Sequence, residues 1–257
     1  LKILKEFKPD IVIGVGGYVT FPVIMAAHKL KIKTFLHEQN SIPGKSNKFL
    51  IKYADKIGLS FADSSKYFPK DKWILTGNPC SENALNIKAT SRTKYGLSYD
   101  KKSILIVQGS LGSEVINNKM LPFLQNIDNE SYEVLYVTGK NYYENYSKNK
   151  FSKNVKVVPY VENLSSLLKD IDLIITRAGA STIAEITSLG LPAILIPSPY
   201  VANNHQYYNA LSLKNANASE LIEQKDLDEK TLKETINKIL NDKNTYETYH
   251  NNLLKLS

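Results

Sequence analysis

Residues 174–210, IITRAGASTIAEITSLGLPAILIPSPYVANNHQYYNA, constrain the fold more than any other stretch of the chain. An apolar run ends in Arg177-Ala178-Gly179, a helical stretch carrying Glu185 follows, and a second apolar run ends in a Pro-rich loop with Asn203, Asn204, His205 and Gln206. Strand-loop-helix-strand units of this kind place polar groups beyond the carboxyl ends of parallel strands, where open α/β sheets bind their ligands. The segment therefore implies a nucleotide or nucleotide-sugar binder.

The same alternation runs through the whole chain. Residues 10–15 (DIVIGV) read as a buried strand, 21–30 as a helix and 33–36 as a second strand that runs into His37-Glu38-Gln39-Asn40. A helix near 46–54 and strands at 56–59 and 73–75 follow, the last ending in Thr76-Gly77-Asn78-Pro79. Repeated β-then-α units predict a parallel sheet. Pro79 and the polar stretch to Arg92 read as a linker. A second series then begins, with strands at 103–107, 132–137, 155–158, 173–176 and 193–197 and helices near 114–124, 164–169, 181–189 and 205–216. Leu227, Leu232, Ile236, Ile239 and Leu240 recur at helical spacing, so the tail reads as one amphipathic helix ending in a polar segment. The expected architecture is α/β: two Rossmann-like halves, 1–80 and 81–257, facing one another across a cleft. The chain opens on Leu1, within what reads as a helix feeding a strand, so an N-terminal portion is expected upstream and the first half is expected to be incomplete.

Composition narrows the function. With 42% hydrophobic residues, 257 positions can build real cores. No run approaches the roughly 20 apolar residues that span a bilayer, and LKILKEFKPD lacks the long apolar core of a signal peptide. The lone Cys80 excludes an internal disulfide framework and fits a reducing, cytosolic compartment. A net charge of +8 suits anionic partners: nucleotide phosphates or an acidic membrane surface. Nucleic acid is not expected, because no RNP, KH, zinc-finger or basic-zipper pattern is present.

Four features each admit two readings. Gly109-Ser110-Leu111-Gly112 follows a strand and opens a helix, as a phosphate-holding loop does, but a plain tight turn has the same spacing. Gly14-Val15-Gly16-Gly17 repeats that ambiguity in the first half. Thr182-Ile183-Ala184-Glu185 matches a capping box, with Gly190 and Pro192 as the matching stop. Equally, a carboxylate one turn into a helix at a cleft suits the two hydroxyls of a ribose. His37 reads as a satisfied structural histidine or as a functional one, and it has no second His or Cys at metal-ligand spacing.

Taken together the motifs are specific. GGY at 16–18, HEQNSIPGKSNKFL at 37–50, GNP at 77–79, QGSLGS at 108–113, RAGASTIAE at 177–185 and PSPYVANNHQ at 197–206 occur in an order that resembles the MurG family. Members of that family transfer N-acetylglucosamine from UDP-GlcNAc to lipid I, undecaprenyl-diphospho-MurNAc-pentapeptide, and so make lipid II for peptidoglycan. The resemblance implies a GT-B fold and an inverting, metal-free transferase without a cofactor, acting as a peripheral protein on the cytoplasmic face of the anionic bacterial cell membrane. The donor contacts it implies fall on Asn40, on Ser110 and its loop for the diphosphate, and on the backbone of Val161 for uracil. They continue over Ala180, Ser181 and Thr182 on the sugar and phosphate side, through Ile183 and Ala184, to Glu185 on the ribose, with Gln206 on the sugar hydroxyls. On the acceptor side it implies Gly16, Gly17, Tyr18, His37 and Glu38.

Two departures stand out. The family usually has Arg two residues after the Pro of GNP, where this chain has Ser81. The family's glycine-rich GGTGGH loop, which holds the proposed catalytic His, has no counterpart here and is expected in roughly a hundred residues upstream of Leu1. Two other assignments fit the same motifs: a diacylglycerol glycosyltransferase of the same fold, and a UDP-sugar-binding module that is inactive without a separate acceptor half.

Overall fold

A computed structural model of the chain describes residues 1–109 and 112–257. Two parallel sheets organise it. In the first half α1 (Lys2–Phe7) leads into β1 (Ile11–Gly14), α2 (Thr20–Lys29), β2 (Lys33–Glu38), α3 (Lys45–Leu50), β3 (Lys56–Leu59) and β4 (Trp73–Leu75). These strands form a four-stranded sheet in the order β1-β2-β3-β4, with Ile13 beside Phe35 and Leu36 beside Ile57. One face is closed: Val12, Leu36, Ile57 and Leu59 pack against Ile24 and Ala27 of α2 and Leu50 of α3. On the other face Ile11, Ile13 and Val15 are 49%, 61% and 58% exposed.

The chain then forms α4 (Cys80–Asn86), which packs on a helix of the second half. The sequence reads as a linker here because its apolar positions are few. Ala84 alone is buried, and that is enough when the helix lies close against a neighbour.

The second half continues with β5 (Lys102–Val107), α5 (Glu114–Gln125), β6 (Tyr132–Val137), α6 (Lys140–Tyr146), β7 (Val155–Val158), α7 (Leu164–Leu168) and β8 (Leu173–Thr176). It ends with α8 (Ala180–Leu189), β9 (Ala193–Leu195), α9 (His205–Asn215), β10 (Glu220–Leu221), α10 (Glu229–Leu240) and α11 (Lys243–Lys255). The strand order is β10-β9-β8-β5-β6-β7, all parallel. From β5 the chain winds outward to β7, returns to pair β8 with β5, and winds outward again to β10. The point of reversal lies between β5 and β8, where Val107 stands beside Thr176.

Both faces of this sheet are covered, as continuous apolar strands require. Ile104 and Ile106 face a core closed by α5 and α10, while Leu105 and Val107 face one closed by α7, α8 and α9. Each such fully buried side chain contributes about 1.5–3 kcal/mol. The tail is two helices, not one helix and a polar segment. Asp242 accepts a hydrogen bond from the amide of Asn244 at 3.0 Å and caps α11, which buries Tyr249 and Leu253. A helix with two buried residues in thirteen carries too weak a period to be read from sequence.

Candidate functional site

The crevice outside a strand-order reversal is where doubly wound sheets hold ligands, because the loops there diverge to opposite faces. The loop after β5 opens α5. Gly109 and Gly112 have φ of 83° and 72°. At Gly112 a Cβ would lie 2.2 Å from the Thr138 carbonyl oxygen, so only glycine fits. Ser113 caps α5, its hydroxyl accepting from the Ile116 amide. Ser110, the expected diphosphate contact, lies outside the described residues together with Leu111.

The loop after β8 is Arg177-Ala178-Gly179, and it opens α8 at Ala180. Gly179 is extended and offers no side-chain cap. The first amides of α8, those of Ala180, Ser181 and Thr182, therefore lack the side-chain partner a capping serine would supply.

This start corrects the capping-box reading of Glu185. Thr182 is the third residue of α8, not its cap, and Glu185 lies in mid-helix. Its Oε1 accepts from the Ser165 hydroxyl of α7 at 2.6 Å. Burial pushes the Glu185 carboxyl above its usual value, and the Ser165 bond offsets only part of that. A half-buried carboxylate with one neutral partner retains unused lone pairs for donors from a ligand.

The other expected donor residues divide. Val161 is buried beside the same loops. Gln206, at the start of α9, accepts from the Ser198 amide at 2.9 Å, which fixes its side chain against the β9 loop. Ile183 and Ala184 are buried and line, with Ala180 and Thr187, a cavity of about 1090 Å³ between the two halves. That cavity continues over the uncovered face of the first sheet, past Ile13, Phe35 and Leu75, and does not include Glu185 or Gln206. Ser81 gives its hydroxyl to the Ala184 carbonyl at 3.1 Å and so ties α4 to α8.

Asn40 is placed across the junction by Asn209, a residue that sequence reasoning misses. Asn209 is fully buried on α9. Its amide nitrogen donates to Asn40 Oδ1 at 3.0 Å and to the Ala178 carbonyl at 3.2 Å, and its oxygen accepts from the Ser41 amide and hydroxyl at 2.9 and 3.0 Å. The one available signal is spacing, since Asn209 lies three residues, hence one helical turn, beyond Gln206.

On the first half, Gly16 and Gly17 have φ of 93° and 78°, and Tyr18 beside them is exposed. His37 is buried and donates through Nε2 to the Gly77 carbonyl at 2.9 Å. Glu38 is buried and accepts from the Asn40 and Gly44 amides at 3.0 and 3.1 Å and from Asn47 at 2.9 Å. In this geometry Glu38 holds the loop that presents Asn40, and His37 ties the end of β2 to the loop after β4.

Comparisons with known proteins give the family and the fold. The glycosyltransferase family 28 C-terminal domain matches residues 103–256, and the N-terminal domain of the same family matches residues 1–59. The UDP-N-acetylglucosamine–N-acetylmuramyl-(pentapeptide) pyrophosphoryl-undecaprenol N-acetylglucosamine transferase of Bacillus cytotoxicus is 44% identical over 242 residues, which cover 92% of this chain and 66% of that protein. The Halalkalibacterium halodurans transferase of the same name is 46% identical over 243 residues, covering 93% of this chain and 67% of that protein. This chain thus spans about two thirds of the length of these curated relatives. Among solved structures, Acinetobacter baumannii MurG superposes with a TM-score of 0.79 at 27% identity, covering 99% of this chain and 70% of that one. The Neisseria meningitidis UDP-GlcNAc 2-epimerase, at 18% identity and a TM-score of 0.67, covers 97% of this chain and 73% of its own and shares the fold alone. With both halves matched in order and the architecture that of GT-B enzymes, the chain belongs to glycosyltransferase family 28, in its MurG branch.

Proposed function

We propose that this chain carries the UDP-GlcNAc site of an inverting N-acetylglucosaminyltransferase that converts lipid I to lipid II. The observation that carries the reading is Glu185, half-buried in mid-helix at the strand-order reversal, with one neutral partner and no capping duty. A ribose offers two hydroxyl donors to such a carboxylate. The glycine loop and the start of α5 suit the diphosphate, and Gln206 suits the sugar.

In the reaction the acceptor C4 hydroxyl oxygen attacks the anomeric carbon of GlcNAc, and the bond from that carbon to the diphosphate oxygen breaks with its electron pair going to UDP. The hydroxyl proton passes to a general base. The charge that develops on the diphosphate is met by the amides at the start of α5, already oriented before the reaction. The base is expected in the further third of chain that the relatives carry. Residues 1–257 alone are then expected to turn over at least about 10²–10⁴-fold more slowly than the extended enzyme.

A peripheral position on an anionic membrane is supported by the α2–α3 face of the first half. Phe21 packs at a tilt against Phe49 with ring centroids 4.9 Å apart, Lys52 sits over Phe49 and Tyr53, and Lys48 and Lys66 sit over Tyr67. Aromatic rings ringed by lysines suit the headgroup region of a bilayer. Among the described residues no helix is long and apolar enough to cross a membrane.

The test is acceptor choice. The chain is joined to the N-terminal third of the Halalkalibacterium halodurans relative and given UDP-GlcNAc with either a lipid I analogue or diacylglycerol. The expected product is the lipid II analogue with release of UDP. Glycosylated diacylglycerol in its place would overturn the acceptor assignment while leaving the donor site intact.

A further inference from the structure

A half-buried cation, Arg177, stands beside the strand-order reversal. Arg177 is the first residue after β8, in one of the two loops that flank the strand-order reversal, and its side chain reaches Ser113 in the other. Its guanidinium donates to the Ile196 carbonyl at 3.1 Å, to Gln224 Oε1 at 2.8 Å and to the Ser113 hydroxyl at 3.4 Å. All three acceptors are neutral. Among the described residues no carboxylate bonds to it, and the two remaining positions, Ser110 and Leu111, carry none.

A guanidinium taken partly out of water without an anion costs free energy that an arriving anion recovers. Burial works against the charge of Arg177, lowering its affinity for the proton. The contact with Ser113 gives that charge a direction, because Ser113 caps α5 and its own hydroxyl orients the first turn of that helix. An anion at the start of α5 meets the helix amides on one side and the field of Arg177 on the other. The bonds to Ile196 and Gln224 hold the guanidinium in place before the anion arrives.

We infer that Arg177 is a positioning residue for the donor diphosphate: it supplies the counter-charge behind the α5 loop and acts on the leaving group through Ser113. The inference rests on the donor site proposed above and adds the group that discriminates a nucleoside diphosphate from its nucleoside.

The experiment is a ligand series on the 257-residue chain, with calorimetry of uridine, UMP, UDP and UDP-GlcNAc against wild type, Arg177→Gln and Arg177→Lys. Arg177→Gln is expected to weaken UDP and UDP-GlcNAc about tenfold or more, the size of a lost charge-assisted interaction, to weaken UMP less, and to leave uridine within about twofold. Arg177→Lys keeps the charge and is expected to recover part of the UDP affinity. If the glutamine variant melts below the assay temperature, the lysine variant carries the test. It should then lose UDP affinity several-fold while holding uridine, because a lysine cannot reproduce the forked donor geometry. Equal losses for uridine and UDP would show that Arg177 only braces the loops, and unchanged UDP affinity would show that its charge does not reach the ligand. Either result overturns the inference while the donor site stands. A folded wild type that binds none of the four ligands overturns the donor-site reading, and this inference with it.

Discussion

The two sheets of this protein are built from the same βα unit and finished to different degrees. In the second, Ile104, Leu105 and Ile106 are each 0% exposed, because helices close both faces. In the first, β1 is an edge strand, and Ile11 and Ile13 on its open face are 49% and 61% exposed. An apolar sheet face of this kind is stable in water when other protein covers it, and the curated relatives carry a further third of chain. The second half holds the crevice at the strand-order reversal, while the first presents loops and an apolar surface. On the proposed reading donor recognition rests on the second sheet, and the first contributes Asn40, which Asn209 holds by a hydrogen bond.

The largest effect should come from the cores themselves. Ile174→Ala, at a fully buried site on β8, is expected to cost about 2–5 kcal/mol in urea unfolding, against about 0.5 kcal/mol or less for Ile13→Ala on the open face. Equal losses would show that the face around Ile13 is covered in solution.

Glycines sharpen it next. Gly190, which ends α8 with φ 60°, has no room for a Cβ, since His250 Nδ1 would lie 2.6 Å away. Gly17 has φ 78° with nothing within 4 Å. Gly190→Ala should lose about 2–3 kcal/mol through strain and clash together, and Gly17→Ala about 1 kcal/mol through strain alone. Thermal unfolding of the two variants reads the difference.

The pH response follows from Glu185. Its carboxyl lies above the ordinary 4.5 in the unliganded protein because of burial, and hydroxyl donors favour the ionised form. UDP-GlcNAc affinity should therefore fall as pH drops through the raised value, by up to about tenfold per unit, and Glu185→Gln should flatten that profile. The stability sign is opposite. The folded state binds the proton more tightly than the unfolded state, so this group adds stability as pH falls from the raised value toward 4.5 and withdraws it as pH rises. An affinity profile that stays flat over this range in the wild type would remove Glu185 from the site.

The smallest effect concerns the first half. Replacing Lys48 or Lys52 by Ala should weaken binding to vesicles rich in anionic lipid by about 1 kcal/mol each, with the binding itself lost as salt rises. Binding that resists salt would place the membrane contact on the apolar open face instead.

Much of this fold is legible in the sequence, because strands such as 103–107 and 173–176 are nearly unbroken apolar runs. Elements stabilised by one or two buried residues are not legible: α4 buries Ala84, α6 buries Tyr146, and α11 buries Tyr249 and Leu253. In the site, the T-x-x-E spacing at 182–185 reads as a capping box only if the helix begins at Thr182. It begins at Ala180, so Glu185 points to Ser165, a partner 20 positions away that no local pattern names. Asn209 meets Ser41 across 168 positions, and such pairs become visible only when two sheets are placed side by side.

On the proposed reading the second sheet binds the UDP-sugar through Glu185. Calorimetry of UDP-GlcNAc against the 257-residue chain and its Glu185→Ala variant tests it directly. Binding by the wild type and a loss of about 1.5–3 kcal/mol in the variant are expected, with unfolding temperatures nearly equal. Equal affinity in two folded proteins would contradict it.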